Sequence, residues 1–465
     1  MTSSLSWSYD ALSPSQQELL TSVSIFAGHF TRGMALAVHG DDTIATHRDF
    51  DQLVRAALVS RDAAATARFR LLGPVKAFGR ERLSDAKAAV VRDRHVREML
   101  ARAERFAPEV RTREQTHASA AFRADLADHR TAMRVLLDPH EGDTGAAARL
   151  LVALFTFCHL HVVPEVHRWA RRLTDVLPAD HELLADVSGA AALGAWFEGR
   201  MEVAVELGER SVRVADEQGR RASYWARLAL VDAYGFLGSD AMIPHYVALV
   251  RESRDDPDPF WRINGLGYEA LGALNAGRRE RAIENADRAL REARQLGNPE
   301  CLQWALHCLG RAIAETDPLG AAAAFEQAIA VSSVEGRLGR ALNLCEWVAV
   351  KRRVHEWDEA RRGLVDLFVV LRSTGIRSLL SAAFREAAHV LHYFGDDETA
   401  IAAILARSEL PDMQVVTNES PALREELETA AANRWPSLVM QARVRSADDV
   451  LDACVTELQR VGPSV

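Results

Sequence analysis

The side chains best suited to recognition chemistry are three tryptophans that recur along the middle of the chain. Trp261, Trp304 and Trp347 fall at offsets 3, 7 and 11 of successive repeat units, which places them on one helical stripe. Such a stripe could line a groove for a peptide or small effector, with four basic side chains nearby: Arg262, His307, Arg311 and Arg352. Because tryptophan is highly buried on average, packing between helices is the simpler interpretation of this spacing.

Other reactive side chains form no recognisable catalytic or metal-binding set. His389 and His392 are close on a predicted helix, but no acidic or thiol partner completes a zinc-ligand spacing. Cys301 and Cys308 lie about two helical turns apart, too far to share one metal, with no base to activate a thiol. Ser/His/Asp, HExxH and GxxxxGK(S/T) patterns are also missing from the sequence. We therefore expect no enzyme activity, no catalytic or cofactor-binding residues, and no metal or cofactor.

Composition limits the class of protein. The 465 residues are 48% hydrophobic and 26% charged, which is ordinary for a soluble globular protein. A formal net charge of −9 argues against the basic footprint that nucleic-acid binders usually carry. The five cysteines are scattered without CxxC spacing, which favours buried thiols in a reducing compartment. With no signal pattern, and an apolar run near residues 150–163 too short for a bilayer, we expect a cytoplasmic protein without a membrane partner.

A repeat must position the tryptophans, and it is clearest at residues 259–297. Two apolar-periodic runs flank a turn at Asn275-Ala276-Gly277, and Gly297 can end the second run. Turn glycines recur every 39 residues in two series, Gly199, Gly238 and Gly277, then Gly297, Gly336 and Gly375. One helix pair per fixed period predicts an α-solenoid.

The first part of the chain does not follow this repeat. Ser13 and Pro14 predict a helix start, and Thr31 caps a second short helix that ends near Gly40. A third helix is predicted over residues 49–59, with four side chains inward: Phe50, Leu53, Val54 and Ala57. Residues 58–60 and 68–71 predict a β-hairpin, and three short helices with a hairpin predict a winged helix.

These patterns predict an all-α chain of four segments. Residues 1–84 form the winged-helix module with one small hairpin, and residues 85–140 form a helical connector with helix stops at Pro108 and Pro139. Residues 141–410 hold about seven helix pairs, and residues 411–465 form capping helices that begin near Leu423 and Ala447.

Each repeat resembles a tetratricopeptide repeat with lengthened helices. The resemblance rests on Leu266-Gly267-Tyr268 in the first helix, Gly277 at the turn, and Ala282, Ala286 and Ala289-Leu290 in the second helix. The family's unit is shorter, about 34 residues, so the expected fold is a tetratricopeptide-like α-solenoid.

The non-repeated part carries a more specific resemblance. The stretches LSWSYDALS (5–13), SIFAGHFT (24–31), FRLLGPVKAFGRERL (69–83) and LADHRTAMRVLL (126–137) resemble the region after the nucleotide-binding core of large actinobacterial regulators. These are signal-transduction ATPases with numerous domains, of the LuxR type and the antibiotic-regulator type. His29 and Gly73-Pro74 depart from the usual residues of that family. The resemblance implies a winged helix, a connector and tetratricopeptide-like repeats, here without the ATPase core, in a split member or a fragment.

This resemblance implies a non-catalytic regulatory module of such a transcriptional regulator. The repeats would sense a protein, peptide or small effector, and the winged helix would relay that state to an ATPase in cis or in trans. A stand-alone tetratricopeptide adaptor is the alternative. Direct DNA binding is less favoured, since the third helix carries Arg48 and Arg55 beside Asp49 and Asp51, and only the hairpin adds basic side chains: Arg61, Arg68 and Arg70.

Overall fold

The computed structural model describes residues 2–62, 67–332, 337–408, 410 and 420–460. The chain divides into two compact units, one comprising Met1–Val110 and Thr116–Leu154, the other Arg111–Gln115 and Phe155–Val465. Gly336 of the predicted glycine series, and residues 63–66 in the predicted hairpin turn, lie outside the described residues.

The first unit begins with short helices and a small sheet and continues into two long helices. In chain order its elements are α1 Thr2–Asp10, α2 Pro14–Val23, β1 Phe30–Thr31, α3 Arg32–His39, α4 Ile44–Arg55, β2 Ser60–Arg61, β3 Arg68–Arg70, α5 Gly73–Glu81, α6 Asp85–Glu109 and α7 Gln115–Leu136. Helix α8, Thr144–His161, begins in this unit and continues into the second.

Side-chain caps determine where the short helices begin. The Ser13 hydroxyl accepts a hydrogen bond from the Gln16 backbone N–H, and the Gln16 side chain accepts one from the Ser13 N–H, which together form a capping box. Thr31 caps α3, and Gly40 ends that helix in the left-handed conformation at φ 86°, as predicted. Helix α4 begins earlier than predicted because Thr43 accepts a hydrogen bond from the Thr46 N–H.

The predicted hairpin is present as β2 and β3, but the sheet has a third strand. Its antiparallel order is β1-β3-β2, with Phe30 opposite Phe69. The prediction that Ala57 faces inward is wrong: α4 ends at Arg55, and Ala57 is exposed at φ 56°, where the chain turns toward β2. The Phe69 ring instead packs edge-on against Phe50, with the ring centroids 4.9 Å apart.

Two buried aspartates of α7 bind the winged-helix part of the same unit. The Asp128 carboxylate accepts hydrogen bonds from the backbone N–H groups of Ala27 and Gly28, at 2.7 and 3.0 Å, and from His95 Nε2 at 3.0 Å. The Asp125 carboxylate pairs with Arg68 of β3 at 2.6 Å. Charge-assisted bonds of this kind are about twice as strong as neutral ones, so α7 holds the hairpin firmly.

The predicted helix stop at Pro108 is wrong. Helix α6 continues to Glu109, and Pro108 lies in its last turn. There the missing proline N–H removes only one hydrogen bond, and the Val110 N–H still bonds to the Phe106 carbonyl.

The second unit is built from consecutive helix pairs followed by terminal helices. After α8, its helices are α9 Pro164–Val176, α10 Leu184–Phe197, α11 Met201–Glu217, α12 Tyr224–Phe236, α13 Met242–Arg254, α14 Pro259–Asn275, α15 Arg279–Leu296, α16 Pro299–Ile313, α17 Pro318–Val331, α18 Arg337–Arg353, α19 Trp357–Thr374, α20 Leu380–Tyr393, α21 Asp397–Ser408, α22 Ser420–Ala431, α23 Trp435–Arg443 and α24 Ala447–Arg460. A single 3₁₀ turn, Ala432–Arg434, precedes α23.

Local sequence explains the boundaries of a pair. Asp258 accepts a hydrogen bond from the Phe260 N–H and Pro259 takes the first helical position, so α14 begins there. Gly277 and Gly297 both have φ 72°, a left-handed backbone that side chains resist, and they stand at the turn and at the end of α15. Helix α14 packs on α15 and also on α16, the first helix of the next pair, and the same pattern continues through α20. This stacking is that of an α-solenoid.

The terminal helices pack on the last pairs. Helix α24 contacts α19, α20 and α21, and Arg361 of α19 donates a hydrogen bond to the Leu458 carbonyl at 2.7 Å. Both predicted helices are present, as α22 from Ser420 and α24 from Ala447, and α23 between them was not predicted. The proline at position 436 starts α23 rather than preventing it, because proline is tolerated in a first helical turn.

Contacts between distant pairs draw the second unit together. The Arg377 backbone N–H donates a hydrogen bond to the Phe197 carbonyl at 2.8 Å, which joins the second pair to the seventh. His159 Nε2 lies 3.1 Å from Glu300 Oε1, which joins the first pair to the fifth. Among the described helices α8 alone is long and apolar enough to cross a membrane, yet 67% of it is buried as in a core helix.

Candidate functional site

The first helices of the pairs surround one cavity in the second unit. Its volume is about 260 Å³, comparable to a site for a small ligand or a few side chains of a peptide. Every first helix from α8 to α20 contributes to the wall, with His159, Trp196, Trp225, Trp261, Trp304, Glu346 and Arg385 as examples in chain order.

Four of the seven residues predicted for a groove line this cavity. They are Trp261, Trp304, His307 and Arg311. The Trp304 indole N–H donates to the Asn264 carbonyl at 3.3 Å, and the His307 ring stacks on the indole with centroids 5.5 Å apart. Burial lowers the pKa of His307 to about 4, so the ring is neutral near pH 7.

The other three predicted residues do not line the cavity. Four-residue steps overshoot the helical turn by about 40° each, so Trp347 lies about 80° away from Trp261 around the helix. Its indole N–H donates to Glu326 at 3.0 Å, and Lys351 lies over its ring. Arg262 donates to the carbonyls of residues 256 and 257, away from the cavity. Arg352 pairs at 2.8 Å with Glu386, which itself lines the cavity.

The cavity contains an aromatic cluster that the tryptophan spacing did not predict. The Tyr224 and Trp261 rings lie 4.3 Å apart by centroid, and Trp225 lies 5.4 Å from Trp261. Tyr268 contacts Trp304 at 5.1 Å. These rings come from three successive first helices, α12, α14 and α16. The signal available in the sequence was the Tyr224-Trp225 pair, which stands early in its repeat as Trp261 does in the next.

A lone carboxylate lies beside these rings. Asp232 of α12 lines the cavity, and no hydrogen bond or ion pair reaches its carboxylate from any residue that the structure describes. Burial raises the pKa of the Asp232 carboxyl from 3.8 to about 7, because apolar surroundings disfavour the charged form. A single acid within the apolar run YWARLALVDAYGF was the available sequence signal.

The remaining charges of the cavity are paired. Glu300 faces His159, Arg311 faces Glu346 at 3.5 Å, and Glu386 accepts from Arg385 at 3.0 Å. Burial opposes ionisation of Glu386, but Arg352 and Arg385 outweigh it and lower the pKa of that carboxyl. The wall from α16 to α20 is therefore close to charge-balanced, whereas Asp232 on α12 has no charged partner among the described residues.

Metal-binding and nucleophilic groups are sparse in the part of the chain that the structure describes. No cluster of three or more histidine, cysteine, aspartate or glutamate side chains could hold a metal ion there. Of the two histidines considered as metal ligands, His389 and His392, the second is bonded to an acid: its Nδ1 atom lies 2.6 Å from Asp397 Oδ1. None of the five cysteines forms a disulfide, and burial raises the pKa of Cys308, which makes its thiolate unfavourable.

The winged-helix surface offers few basic groups for DNA. Arg68 of the hairpin is mostly buried and committed to Asp125. Arg48, Arg55, Arg61 and Arg70 remain exposed. Arg61 lies over the Phe69 ring at 5.6 Å, which holds it against the sheet.

Comparison with known proteins agrees with the architecture. The family model described as a winged helix-turn-helix domain matches residues 12–84, which confirms the predicted winged helix. No curated protein matches the chain significantly.

Several solved structures resemble the chain at low identity. A signal transduction ATPase with numerous domains (STAND) protein with a tetratricopeptide repeat sensor, from Pyrococcus horikoshii, is 12% identical, with TM-score 0.38, over 97% of this chain. This chain covers 66% of that protein. NprR in complex with its cognate peptide NprX is 14% identical, with TM-score 0.48, over 76% of this chain and 98% of that one. A Rap protein complexed with competence and sporulation factor is 11% identical, with TM-score 0.49, over 78% and 98%.

Proposed function

We propose that this chain is a non-catalytic regulatory and protein-interaction module of the cytoplasm. Its repeats bind an effector or partner in the cavity of the second unit, and its winged helix relays the bound state to an ATPase module. The observation that carries the proposal is the cavity itself, because all seven first helices supply side chains to it. A ligand that fills this cavity contacts side chains from more than one helix pair, so its binding free energy can select one arrangement of the repeats over another.

Helix α7 offers a route from the repeats to the winged helix. Its first residue, Gln115, belongs to the second unit and accepts a hydrogen bond from the Glu300 N–H at 2.9 Å. Further along the same helix, Asp125 and Asp128 bind the hairpin and the backbone at residues 27–28. We expect a bound state of the repeats to be relayed through this helix.

The arrangement supports relay over DNA binding by the winged helix. Asp125 removes Arg68 from the surface that would face phosphates. Arg48 and Arg55 stand in the same helix as Asp49 and Asp51, and Arg61 is followed directly by Asp62. A phosphate-binding face needs a concentrated positive charge.

The test is recovery of a bound effector. The purified chain is incubated with the peptide-sized fraction of a lysate of its source cells, washed and denatured, and the released molecules are identified by mass spectrometry. We expect one enriched molecule with the wild-type chain and loss of enrichment with Trp304→Ala. Trp7→Ala is the matched control, since Trp7 is 78% exposed and lies outside the cavity.

The recovered molecule then tests the relay. Hydrogen–deuterium exchange is compared with and without it, and we expect changed protection in α7 and at residues 24–31. If the molecule changes hydrogen exchange only in the repeats, the result contradicts the relay and favours a stand-alone adaptor. Enrichment that Trp304→Ala does not reduce would contradict binding in the cavity, and magnesium-dependent ATP hydrolysis by the purified chain would contradict the non-catalytic assignment.

A further inference from the structure

Three groups on one side of the cavity lack hydrogen-bonding partners among the described residues. The Asp232 carboxylate has none, and the Glu300 Oε2 atom and the Tyr224 hydroxyl are buried without one. All three residues line the cavity. Buried polar atoms are nearly always satisfied, so the two buried orphan atoms of Glu300 and Tyr224, facing one space with the partly buried and unpaired Asp232, indicate groups that a ligand completes.

The orphan oxygens are chiefly acceptors, and the chain supplies no cation to them. Arg311 and Arg385, the two arginines of the cavity wall, already face Glu346 and Glu386. Among the residues that the structure describes, none forms an ion pair with Asp232, and burial alone accounts for the raised pKa of its carboxyl. We therefore look to a bound ligand for the positive charge that would pair with it.

The rings beside Asp232 suit a cation as well. Tyr224 and Trp261 are 4.3 Å apart by centroid, and Tyr268 and Trp304 contact each other on the next two first helices. Burial, together with the charges of Glu300 and Asp232, raises the pKa of Tyr224, which keeps its hydroxyl neutral. Aromatic faces attract organic cations, and the attraction grows when water is excluded.

We infer that the cavity binds a ligand with a cationic nitrogen, an organic ammonium seated between the Asp232 carboxylate and the Tyr224, Trp261 and Tyr268 rings. This inference rests on the proposed function, since it names the chemistry of the effector that the repeats bind. A neutral ligand would bury Asp232 without a partner, and an anion would add repulsion, so both are disfavoured. The ammonium is shared by a free amine and a peptide amino terminus.

The test uses three probes of one shape and different charge. 2-Phenylethylammonium, 2-phenylethanol and phenylacetate are titrated at about pH 8, where Asp232 is ionised and the amine is still charged, and binding is followed by tryptophan fluorescence. We expect the ammonium to bind at least about tenfold more tightly than the alcohol, and phenylacetate to bind least. Phenylalanine amide and its N-acetyl form then show whether a peptide amino terminus satisfies the site.

Two substitutions make the test specific. Asp232→Asn keeps the shape of the side chain and removes its charge, so it should abolish the preference for the ammonium over the alcohol. Asp240→Asn is the matched control, because Asp240 lies exposed in the turn after α12 and should leave the preference unchanged. Circular dichroism confirms that both variants fold.

The outcomes separate the inference from the proposed function. Equal binding of ammonium and alcohol, or an ammonium preference that survives Asp232→Asn, overturns the inference. The proposed function then still stands if the lysate experiment recovers a neutral or anionic molecule that Trp304→Ala releases. A recovered effector that carries an amine, and whose affinity falls about tenfold or more with Asp232→Asn, supports both.

Discussion

Replacing Asp232 with asparagine should stabilise the empty chain, and increasingly so as pH rises. Burial raises the pKa of this carboxyl from 3.8 to about 7. The folded chain thus holds the proton more tightly than the unfolded chain, so raising the pH through this range removes a proton that the folded state prefers. Stability contributed by this group is full below about pH 4 and is lost by about pH 7.

The magnitude follows from the shift. About three pKa units at 1.36 kcal/mol each give a loss of about 4 kcal/mol once Asp232 is fully ionised. Between pH 5 and pH 8 the loss grows by about 2.5 kcal/mol, because part of the window lies below pH 5. No charged group among the described residues offsets this loss, and the titratable groups that interact with Asp232 are Tyr224 on its own helix and Tyr268 on α14.

The assay is urea unfolding of wild type and Asp232→Asn at several pH values, followed by tryptophan fluorescence. Eight of the nine tryptophans lie in residues 155–465, so the signal reports on the second unit. We expect the difference in unfolding free energy between the two proteins to widen by about 2.5 kcal/mol from pH 5 to pH 8 in favour of the variant. Buried histidines titrate in both proteins and cancel in the difference.

Asp240→Asn serves as the control, since it makes the same substitution at an exposed side chain in the turn after α12. If the difference in unfolding free energy between Asp232→Asn and wild type stays the same from pH 5 to pH 8, the reasoning is refuted. Such a result would mean that the Asp232 carboxylate is hydrated or paired in the folded chain. A ligand ammonium added at saturation should reverse the trend, since it pairs with the charged form.

Four further predictions concern other parts of the molecule. Gly267→Ala should displace Trp304, whose indole a methyl group would meet, costing about 1–3 kcal/mol and weakening probe binding in fluorescence titrations. Gly277→Ala, at φ 72° with open space around it, should cost only about 1 kcal/mol in urea unfolding and leave probe binding intact. Asp125→Ala should destabilise the first unit by about 3–5 kcal/mol, seen as earlier loss of amide protection there, because Arg68 stays buried without its partner. A mobility-shift assay at low salt should show no tight, sequence-selective DNA binding, and a discrete complex at nanomolar protein would contradict that expectation.

The repeat and its boundaries were predictable because they depend on local chemistry. Glycine at a left-handed position and proline at a first helical turn act within a few residues, so the pair at residues 259–297 could be predicted from its own sequence. The two-residue strand β1 could not be predicted from its own sequence, since it is too short to show an alternating pattern of apolar and polar residues.

The site was only partly predictable because it depends on which face of each helix turns inward. A four-residue step keeps Trp261 and Trp304 on the cavity side but carries Trp347 around to Glu326. Ion pairs between distant helices, such as Arg352 with Glu386, are set by packing and have no local signal. Asp232 had a local signal, because it is the only acidic residue in an apolar helix. Its lack of a charged partner could not be predicted, because that depends on the side chains of the neighbouring helices.

The hydrogen bond from the Arg377 N–H to the Phe197 carbonyl has a consequence for how this unit folds. Solenoids usually follow a one-dimensional Ising description, in which each repeat interacts only with its neighbours and can be lost from an end without harm to the rest. A link between the second and seventh pairs raises contact order and couples the ends, so the seven pairs should unfold in one cooperative transition and fold more slowly than an open array. Deleting the last pair should then weaken the second pair as much as the sixth.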